Sequence, residues 1–431
     1  MRILIISHEC DSIDLARRLV QEGNKVKFYC NSSGYDRVGM GFGIRKVRDW
    51  KRELSWVGKD GLIIFDYTGF GKTQDELRAQ GYAVVGGSET GDRLELDRNY
   101  ASTVLKEHGL NILPQHHFGL SEAIKYIKEH AGPWVIKHNG YADKTLTYVG
   151  RLPDGRDVID VLNSYRTTCR SVVIQKKVQG VEIGVGRFFN GKGWTGPIEL
   201  NIEHKKLFTG GLGPKTSEMG TLMWFVDNEQ NRLFSATIGR LTPWLQQSRF
   251  KGDIDINCII NEEGIFPLEV TARFGYPALH GSCALTRSPF GEFLKAVADG
   301  KESSMQYHES FGIVVQVAVP PFPYRAINET YNPEGLKIYF TDSLSQEDMH
   351  HVHFNDVCLR EKKDGNREYS IAARHGYVMC VTGIGDTVDT ARNKAYSLIG
   401  KTVVPKMFYR NDIGVKFVEQ DQAQLQQWGW L

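Results

Sequence analysis

The strongest candidate set of ligand oxygens in the chain lies between residues 253 and 271. In IDINCIINEEGIFPLEVTARFG, residues 254–275, two apolar-rich segments flank Glu263-Gly264, and the pattern predicts two antiparallel strands. Side chains alternate faces along a strand. Asp253, Asp255 and Asn257 therefore share one face of the first strand, and Glu269 and Thr271 share one face of the second. Carboxylates and amides facing one another across neighbouring strands can hold Mg²⁺ against nucleotide phosphates. The same alternation also describes an ordinary solvated strand face.

Two other stretches offer anion-binding chemistry. Lys137 ends the apolar run WVIK just before a polar loop, where a lysine can reach a phosphate or simply snorkel to the surface. GGLGPKTSEMG, residues 210–220, combines four glycines with Lys215, Thr216, Ser217 and Glu218. Backbone N–H groups in such a loop can cradle an anion, or the loop can be a surface hairpin. The preceding EHKKLF adds His204, Lys205 and Lys206. GFGKT, residues 69–73, imitates a phosphate loop, but the position that must be glycine is Asp66, a charge that would repel phosphate. His350, His351 and His353 have no carboxylate or cysteine at metal-ligand spacing, so HHVH reads as a polar loop.

These residues need elements to place them. The first hundred residues alternate strand and helix: RILIIS, the helix SIDLARRLVQEG, KVKFYC, GLIIFD, the helix TQDELRAQG and YAVVGG. Such short alternating steps predict a parallel α/β sheet, with ligands beyond its C-terminal strand ends at Ser7-His8-Glu9, Asp66-Tyr67 and Gly86-Gly87-Ser88. DRLELDRNYASTVLKEHG predicts one amphipathic helix, and SEAIKYIKEHAG another. SVVIQKKV and VEIGVGRFF predict strands joined by a turn, and the part beyond about residue 311 reads as a separate α+β unit.

A length of 431 residues exceeds what one core supports. The 53 basic and 51 acidic residues leave a net charge of +2, which gives no electrostatic case for nucleic acid or a membrane surface. Seven scattered cysteines without a C-x-x-C pair suit a reducing compartment, and a cytoplasmic location is expected. MRILIIS reads as a first strand rather than a signal peptide, and no segment approaches the roughly 18 apolar residues of a membrane span.

HKK followed by GPKTSEMG, then PLEVTARFGYP, then VTGIGDTVDTARNKAY and MFYRNDIG together resemble the phosphoribosylamine–glycine ligase family of the ATP-grasp superfamily, nearly end to end. The resemblance implies an α/β multidomain fold: an N-terminal parallel α/β domain (1–98), an ATP-grasp region (99–305, with a lid subdomain at about 112–178) and a C-terminal α+β domain (306–431). It implies ligation of a small-molecule acid to an amine through an acyl phosphate, with ATP and Mg²⁺ (or Mn²⁺), by a monomer or homodimer. Residue by residue, it assigns ATP binding to Arg98, Lys137, Gln175, Lys176, Lys177, Val178 and Glu182, and metal ligation to Glu269, Thr271 and Asn257. Lys205 and Arg273 become the catalytic cations. Lys215, Thr216, Ser217, Glu218, Arg273 and Tyr276 become substrate-binding residues.

The departures are concentrated around the substrate. SHECDSIDLA replaces the family's glycine-rich N-terminal loop, Ile64-Phe65-Asp66 replaces its Gly-Pro-Glu, and YADKTLTY replaces its glycine-rich flap. Thr271 stands for a metal-binding asparagine, Asn257 for an acid, and Tyr276 and Ala278 for Asp and Glu. The chain is therefore expected to be a diverged ligase with an altered acid or amine. The alternative is a weakened ATP-grasp fold that binds nucleotide or a partner without ligation.

Overall fold

The computed structural model describes residues 1–138, 146–167, 169–324, 332–362, 365 and 367–431. Most of the YADKTLTY flap lies outside them. β1 (Arg2–Ser7), β2 (Lys25–Cys30), β3 (Arg45–Val47), β4 (Leu62–Phe65) and β5 (Val84–Val85) form a parallel sheet in the order β3-β2-β1-β4-β5. Ile3 and Ile5 pack on one side with Leu15 and Leu19 of helix α1 (Ile13–Gln21), while Leu4 and Ile6 pack on the other with Phe65 and Leu77. Burial on both faces is why these strands read as unbroken apolar runs. The strand order reverses its progression between β1 and β4, so the ligand crevice of this sheet opens at their C-terminal ends.

The expected single helix across residues 92–109 is two, Glu89–Leu96 and Arg98–Glu107. Asp97 is extended between them, and its carboxylate accepts the N–H groups of Asn99 and Tyr100. A capping aspartate starts a new helix where periodicity alone continues the old one.

β6 (Gln115–Gly119), β7 (Trp134–Lys137), β8 (Tyr148–Val149) and β9 (Ser171–Lys176) make a small antiparallel sheet, ordered β6-β9-β7-β8, over its own core of Ile127, Ile136, Leu162 and Ile174. The chain then enters the central sheet. β10 (Val181–Asn190), β11 (Trp194–Glu203), β14 (Gly220–Val226), β15 (Lys251–Asn261) and β16 (Gly264–Thr271) are antiparallel, and β12 (Lys206–Phe208) and β13 (Leu212–Lys215) form a separate hairpin between β11 and β14. β17 (Phe311–Ala318), β19 (Val352–Phe354) and β22 (Tyr377–Gly385) continue the sheet, giving the order β16-β15-β10-β11-β14-β17-β22-β19 among the described residues. The boundary expected near residue 306 thus falls inside one hydrogen-bonded sheet.

β18 (Lys337–Phe340), β20 (Val357–Glu361), β21 (Arg367–Ile371) and β23 (Thr402–Val403) complete a four-stranded sheet. Helix Val388–Gly400 lies close on β22: a Cβ on Gly383 would come within 2.2 Å of Ala391 O, so glycine sets that packing distance.

Candidate active site

The central sheet turns two different faces. Ile183, Val185, Ile198, Leu200, Ile254 and Ile256 point into the main core. By alternation, Glu182 on β10, Glu199, Asn201 and Glu203 on β11, Asp253, Asp255 and Asn257 on β15, and Glu269 and Thr271 on β16 point the other way. β10 lies between β11 and β15, yet Asn201 Nδ2 donates across it to Asp255 Oδ2 at 3.1 Å. Gly184 makes room, since a Cβ there would lie 2.2 Å from Asn201 Oδ1. Asp255 sits opposite Thr271, and Asn257 opposite Glu269. The expected hairpin and its shared oxygen face are therefore present.

Lys205 follows β11 and places its Nζ 2.5 Å from both Glu203 and Glu269, and 3.5 Å from Glu182. Burial opposes its charge, but these three carboxylates outweigh burial and hold its pKa well above the ordinary value. Asn257 Nδ2 donates to Glu203 at 2.9 Å. Burial, reinforced by Glu203 and Glu199, pushes Asp255 well above the carboxylate range. The donor set is all oxygen, and Asn201 Oδ1 and Asn257 Oδ1 are buried with no hydrogen-bond partner in the structure. A hard divalent cation fits such a set.

A second group of charges comes from the lid. Lys137, at the end of β7, is brought down to about 7 by burial and by the neighbouring Arg98 and Lys215, with Glu269 and Glu182 partly offsetting them. Those electrostatic contacts place Lys137, Arg98, Lys215, Glu182 and Glu269 around one locus. Arg98 Nε donates to His138 O at 2.9 Å, fixing the first residue of its helix against the end of β7. The β9-to-β10 connection borders the locus: Gln175 is buried, Lys176 is exposed, Lys177 Nζ donates to Gly150 O at 3.1 Å, and Val178 is half-buried.

Other expected residues sit elsewhere. Thr216 is interior, with N and Oγ1 donating to Lys205 O at 2.7 and 2.9 Å. Glu218 is also interior, bonded to Thr221, and Ser217 Oγ meets the Tyr377 hydroxyl at 2.8 Å. His204 is not an anion donor; its Nε2 accepts Gly414 N–H at 3.1 Å, and burial brings its pKa to about 4. Arg273 pairs with Glu95 at 3.2 Å and stands over the Tyr67 ring at 5.3 Å. Tyr276 faces Asp66, Asp11 and Arg273. Both belong to the crevice at the ends of β1 and β4.

Glu203, one of the three carboxylates around Lys205, was not singled out from sequence, nor were Glu199 and Asn201. The signal was present in the alternation of WTGPIELNIE. The phosphate-loop imitation is closed by Asp92 rather than by the Asp66 that the sequence pointed to: Asp92 Oδ2 occupies the N–H groups of Gly69 and Gly71 at 2.9 and 2.6 Å. The reading of HHVH as a polar loop is overturned for His353. It is buried, with Nδ1 2.7 Å from Asp14, a residue 339 positions away.

Comparison with known proteins decides the family. Residues 96–279 match the ATP-grasp (A) domain of phosphoribosylglycinamide synthetase, and residues 329–416 match its C domain, together more than half of the chain. The chain belongs to the phosphoribosylglycinamide synthetase family. It is 26% identical over 354 residues to the phosphoribosylamine–glycine ligase of Clostridium acetobutylicum, covering 79% of this chain and 80% of that one. Against the ligase of Caldanaerobacter subterraneus subsp. tengcongensis it is 23% identical, covering 97% and 100%. A crystal structure of the Thermotoga maritima phosphoribosylamine–glycine ligase shares the fold, with a TM-score of 0.70 at 21% identity over 96% of this chain and all of that one. Lys137, Glu182, Lys205 and Glu269 all fall inside the synthetase-family ATP-grasp match. Among the described residues no helix is long and apolar enough to cross a membrane.

Proposed function

We propose that this member of the ligase family ligates an acid and an amine with ATP on the central sheet face, and that its acid or amine differs from the family's usual pair. The observation that carries the reading is the meeting of Lys137, Arg98 and Lys215 from one side with Glu182, Glu269 and Lys205 from the other. That arrangement opposes cations to phosphates and carboxylates to a metal. Glu269, Asn257 and Asp255 would hold Mg²⁺ or Mn²⁺, with Asp255, directly opposite Thr271, supplying the oxygen that a missing asparagine otherwise gives. The metal supplies positive charge against the phosphoryl group as it transfers.

Lys137 and Arg98 bind the phosphate chain. Gln175, Lys176, Lys177 and Val178 border the base, and Glu182 accepts from the ribose. Lys205 holds Glu203 and Glu269 in place through its 2.5 Å contacts. The acid's carboxylate oxygen takes the terminal phosphoryl group and ADP leaves. The amine nitrogen then attacks the acyl carbon, phosphate departs with the bond pair, and the nitrogen loses one proton.

The test is ADP release by the purified chain with ATP, Mg²⁺ and a panel of acid–amine pairs that includes glycine with phosphoribosylamine. Turnover on another pair, well above glycine with phosphoribosylamine, is expected. Robust glycinamide ribonucleotide formation refutes the altered substrate. Tight ATP binding with no turnover on any pair refutes ligation. Metal ligation is read separately by Mn²⁺ binding, which Asp255→Asn should weaken by about tenfold or more.

A further inference from the structure

One row of directly paired residues crosses the central sheet: Glu269 on β16, Asn257 on β15, Gly184 on β10 and Asn201 on β11. Residues paired in this way turn their side chains to the same side of a sheet. Both asparagines are interior, Asn257 at 2% and Asn201 at 3% exposure. They lean over the glycine from opposite sides. Asn201 Nδ2 donates to Asp255 Oδ2 on β15 at 3.1 Å, and to Glu199 Oε1 at 3.2 Å. Asn257 Nδ2 donates the other way, to Glu203 Oε2 on β11 at 2.9 Å. Two hydrogen bonds thus pass across β10 in opposite directions. Only a strand without a Cβ at that point permits it, because a Cβ on Gly184 would lie 2.2 Å from Asn201 Oδ1 and 2.7 Å from its Nδ2.

These bonds settle which end of each amide is spare. Carboxylates hold the nitrogens, so the oxygens remain, and Asn201 Oδ1 and Asn257 Oδ1 are both buried with no hydrogen-bond partner. A buried acceptor without a partner is costly, and two of them stand on either side of one bare glycine. A water or a cation can fill such a gap, and the surroundings choose between them. Glu182 stands two residues before Gly184 on β10, Glu203 two residues after Asn201 on β11, and Glu199 and Asp255 flank Gly186 in the next row. The Lys205 ammonium is bonded to Glu203, Glu269 and Glu182 and leaves both amide oxygens unmatched.

We propose that Asn201 Oδ1 and Asn257 Oδ1 are paired amide ligands of one hard divalent cation, held at the gap over Gly184 in the row of Glu269. The inference rests on the ligase reading above and adds Asn201, from the far side of β10, to the ligands named there. Amide carbonyls are neutral, hard oxygen donors that magnesium and manganese accept beside carboxylates. The amide that Thr271 does not supply from β16 comes instead from β11. Glu199 and Asp255 aim it by holding its nitrogen, as outer partners hold a metal ligand in register. Gly184 is part of the site because its missing Cβ is the space the amide occupies.

The experiment is Mn²⁺ titration of the full chain, saturated with a non-hydrolysable ATP analogue and followed by electron paramagnetic resonance. Asn201→Leu removes the oxygen at similar size and should weaken Mn²⁺ binding by about tenfold or more. Gly184→Ala keeps every ligand atom but puts a methyl where the amide lies, and should weaken binding to a similar degree. In the double variant the two losses should not add. The direct readout is electron–nuclear double resonance of bound Mn²⁺ in protein whose asparagines carry carbon-13 at the side-chain carbonyl. Two coupled carbons are expected in the wild type and one in Asn201→Leu, a signature that an asparagine with a merely structural role does not give. No coupled carbon, as with a water-filled gap, overturns the proposal. So does a single coupled carbon that survives Asn201→Leu, or Mn²⁺ affinity unchanged in both single variants. Binding is read without turnover. Coupled carbons without ADP release on any acid–amine pair therefore count against ligation alone, and ligation without a coupled carbon counts against this site alone.

Discussion

The central sheet face and the β1/β4 crevice both gather buried carboxylates, but they neutralise them differently. On the sheet face Lys205 brings its own ammonium to Glu182, Glu203 and Glu269. At the ends of β1 and β4 Asp66 Oδ1 and Asp356 Oδ2 have no hydrogen-bond partner, and burial pushes both carboxyls up although Arg273 acts on Asp66 and Lys46 on Asp356. The contrast teaches that an ammonium at contact distance balances a carboxylate cluster, whereas burial that outweighs its cations favours the neutral acid. The first region lies in the segment that matches the family's ATP-grasp domain, residues 96–279, whereas the β1 and β4 ends lie before that segment.

The largest expected effect tests the scaffold. Glu269→Gln should lower ADP release on the order of a hundredfold or more, with a urea midpoint that falls much less than in a variant lacking the Lys205 ammonium. Unaltered turnover would remove Glu269 from the mechanism. Lys205→Met should cost about 3–5 kcal/mol of folding stability in urea titration, because it strands three carboxylates beside one another. Adding Glu203→Gln to that variant should recover part of the loss, and no recovery would mean the cluster is not a coupled unit.

The crevice has its own support, and acid should attack it. Asp14 on α1, His353 on β19 and His280 on helix Ala278–Leu285 meet beneath it, with Arg17 Nε 2.7 Å from Asp14 and His280 stacked on His353 at 5.0 Å. These three segments carry or adjoin Asp11, Asp356 and Tyr276. Burial, aided by the charge of His353, lowers His280 to about 3. Its neutral form therefore stabilises the fold fully above about 6.5, and that contribution is lost as pH falls from 6.5 toward 3. Burial opposes ionisation of Asp14, but Arg17 and His353 hold its pKa far below the usual value, so its contribution disappears only in stronger acid. Between pH 8 and pH 4.5 His280 should account for about 2–3 kcal/mol of lost stability. His280→Gln should remove about 2–3 kcal/mol of the loss over that range and leave the share that buried His204 contributes, and an unchanged slope would exclude His280 as a source.

The smallest effect concerns the lid lysine. With Lys137 near 7, most of it is neutral at pH 8, and phosphate contact favours the ammonium. ATP binding at pH 8 should take up close to one proton, visible as a difference in binding heat between buffers of unlike ionisation enthalpy. Affinity should weaken by up to about tenfold per pH unit above 7. Arg98→Gln removes a like charge, raises the Lys137 pKa and should reduce the uptake. No uptake in the wild type would separate Lys137 from the phosphates.

Much of the sheet face was legible because a strand's alternation is strictly local. Asp253, Asp255, Asn257, Glu269 and Thr271 could be assigned to their faces before any pairing was known. The same rule applied to IELNIE would have found Glu203. The helix break at Asp97 was legible in kind, as a capping residue, but periodicity masked it. His353 was not legible, because its carboxylate partner comes from the other end of the chain. Thr216 and Glu218 were misplaced for the reverse reason: a glycine-rich segment looks exposed until β14, β17 and β22 are seen to enclose it.

The sequence by itself determined the alternating α/β start, the oxygen-bearing hairpin and the kinship of its motifs, all of which depend on neighbours a few residues apart. Only the tertiary structure decided which carboxylates are balanced. The charge state of a buried group is set by whatever lies within a few ångströms, and those neighbours come from remote segments: Lys205 to Glu269, Asp14 to His353, and Asp356 to the end of β1.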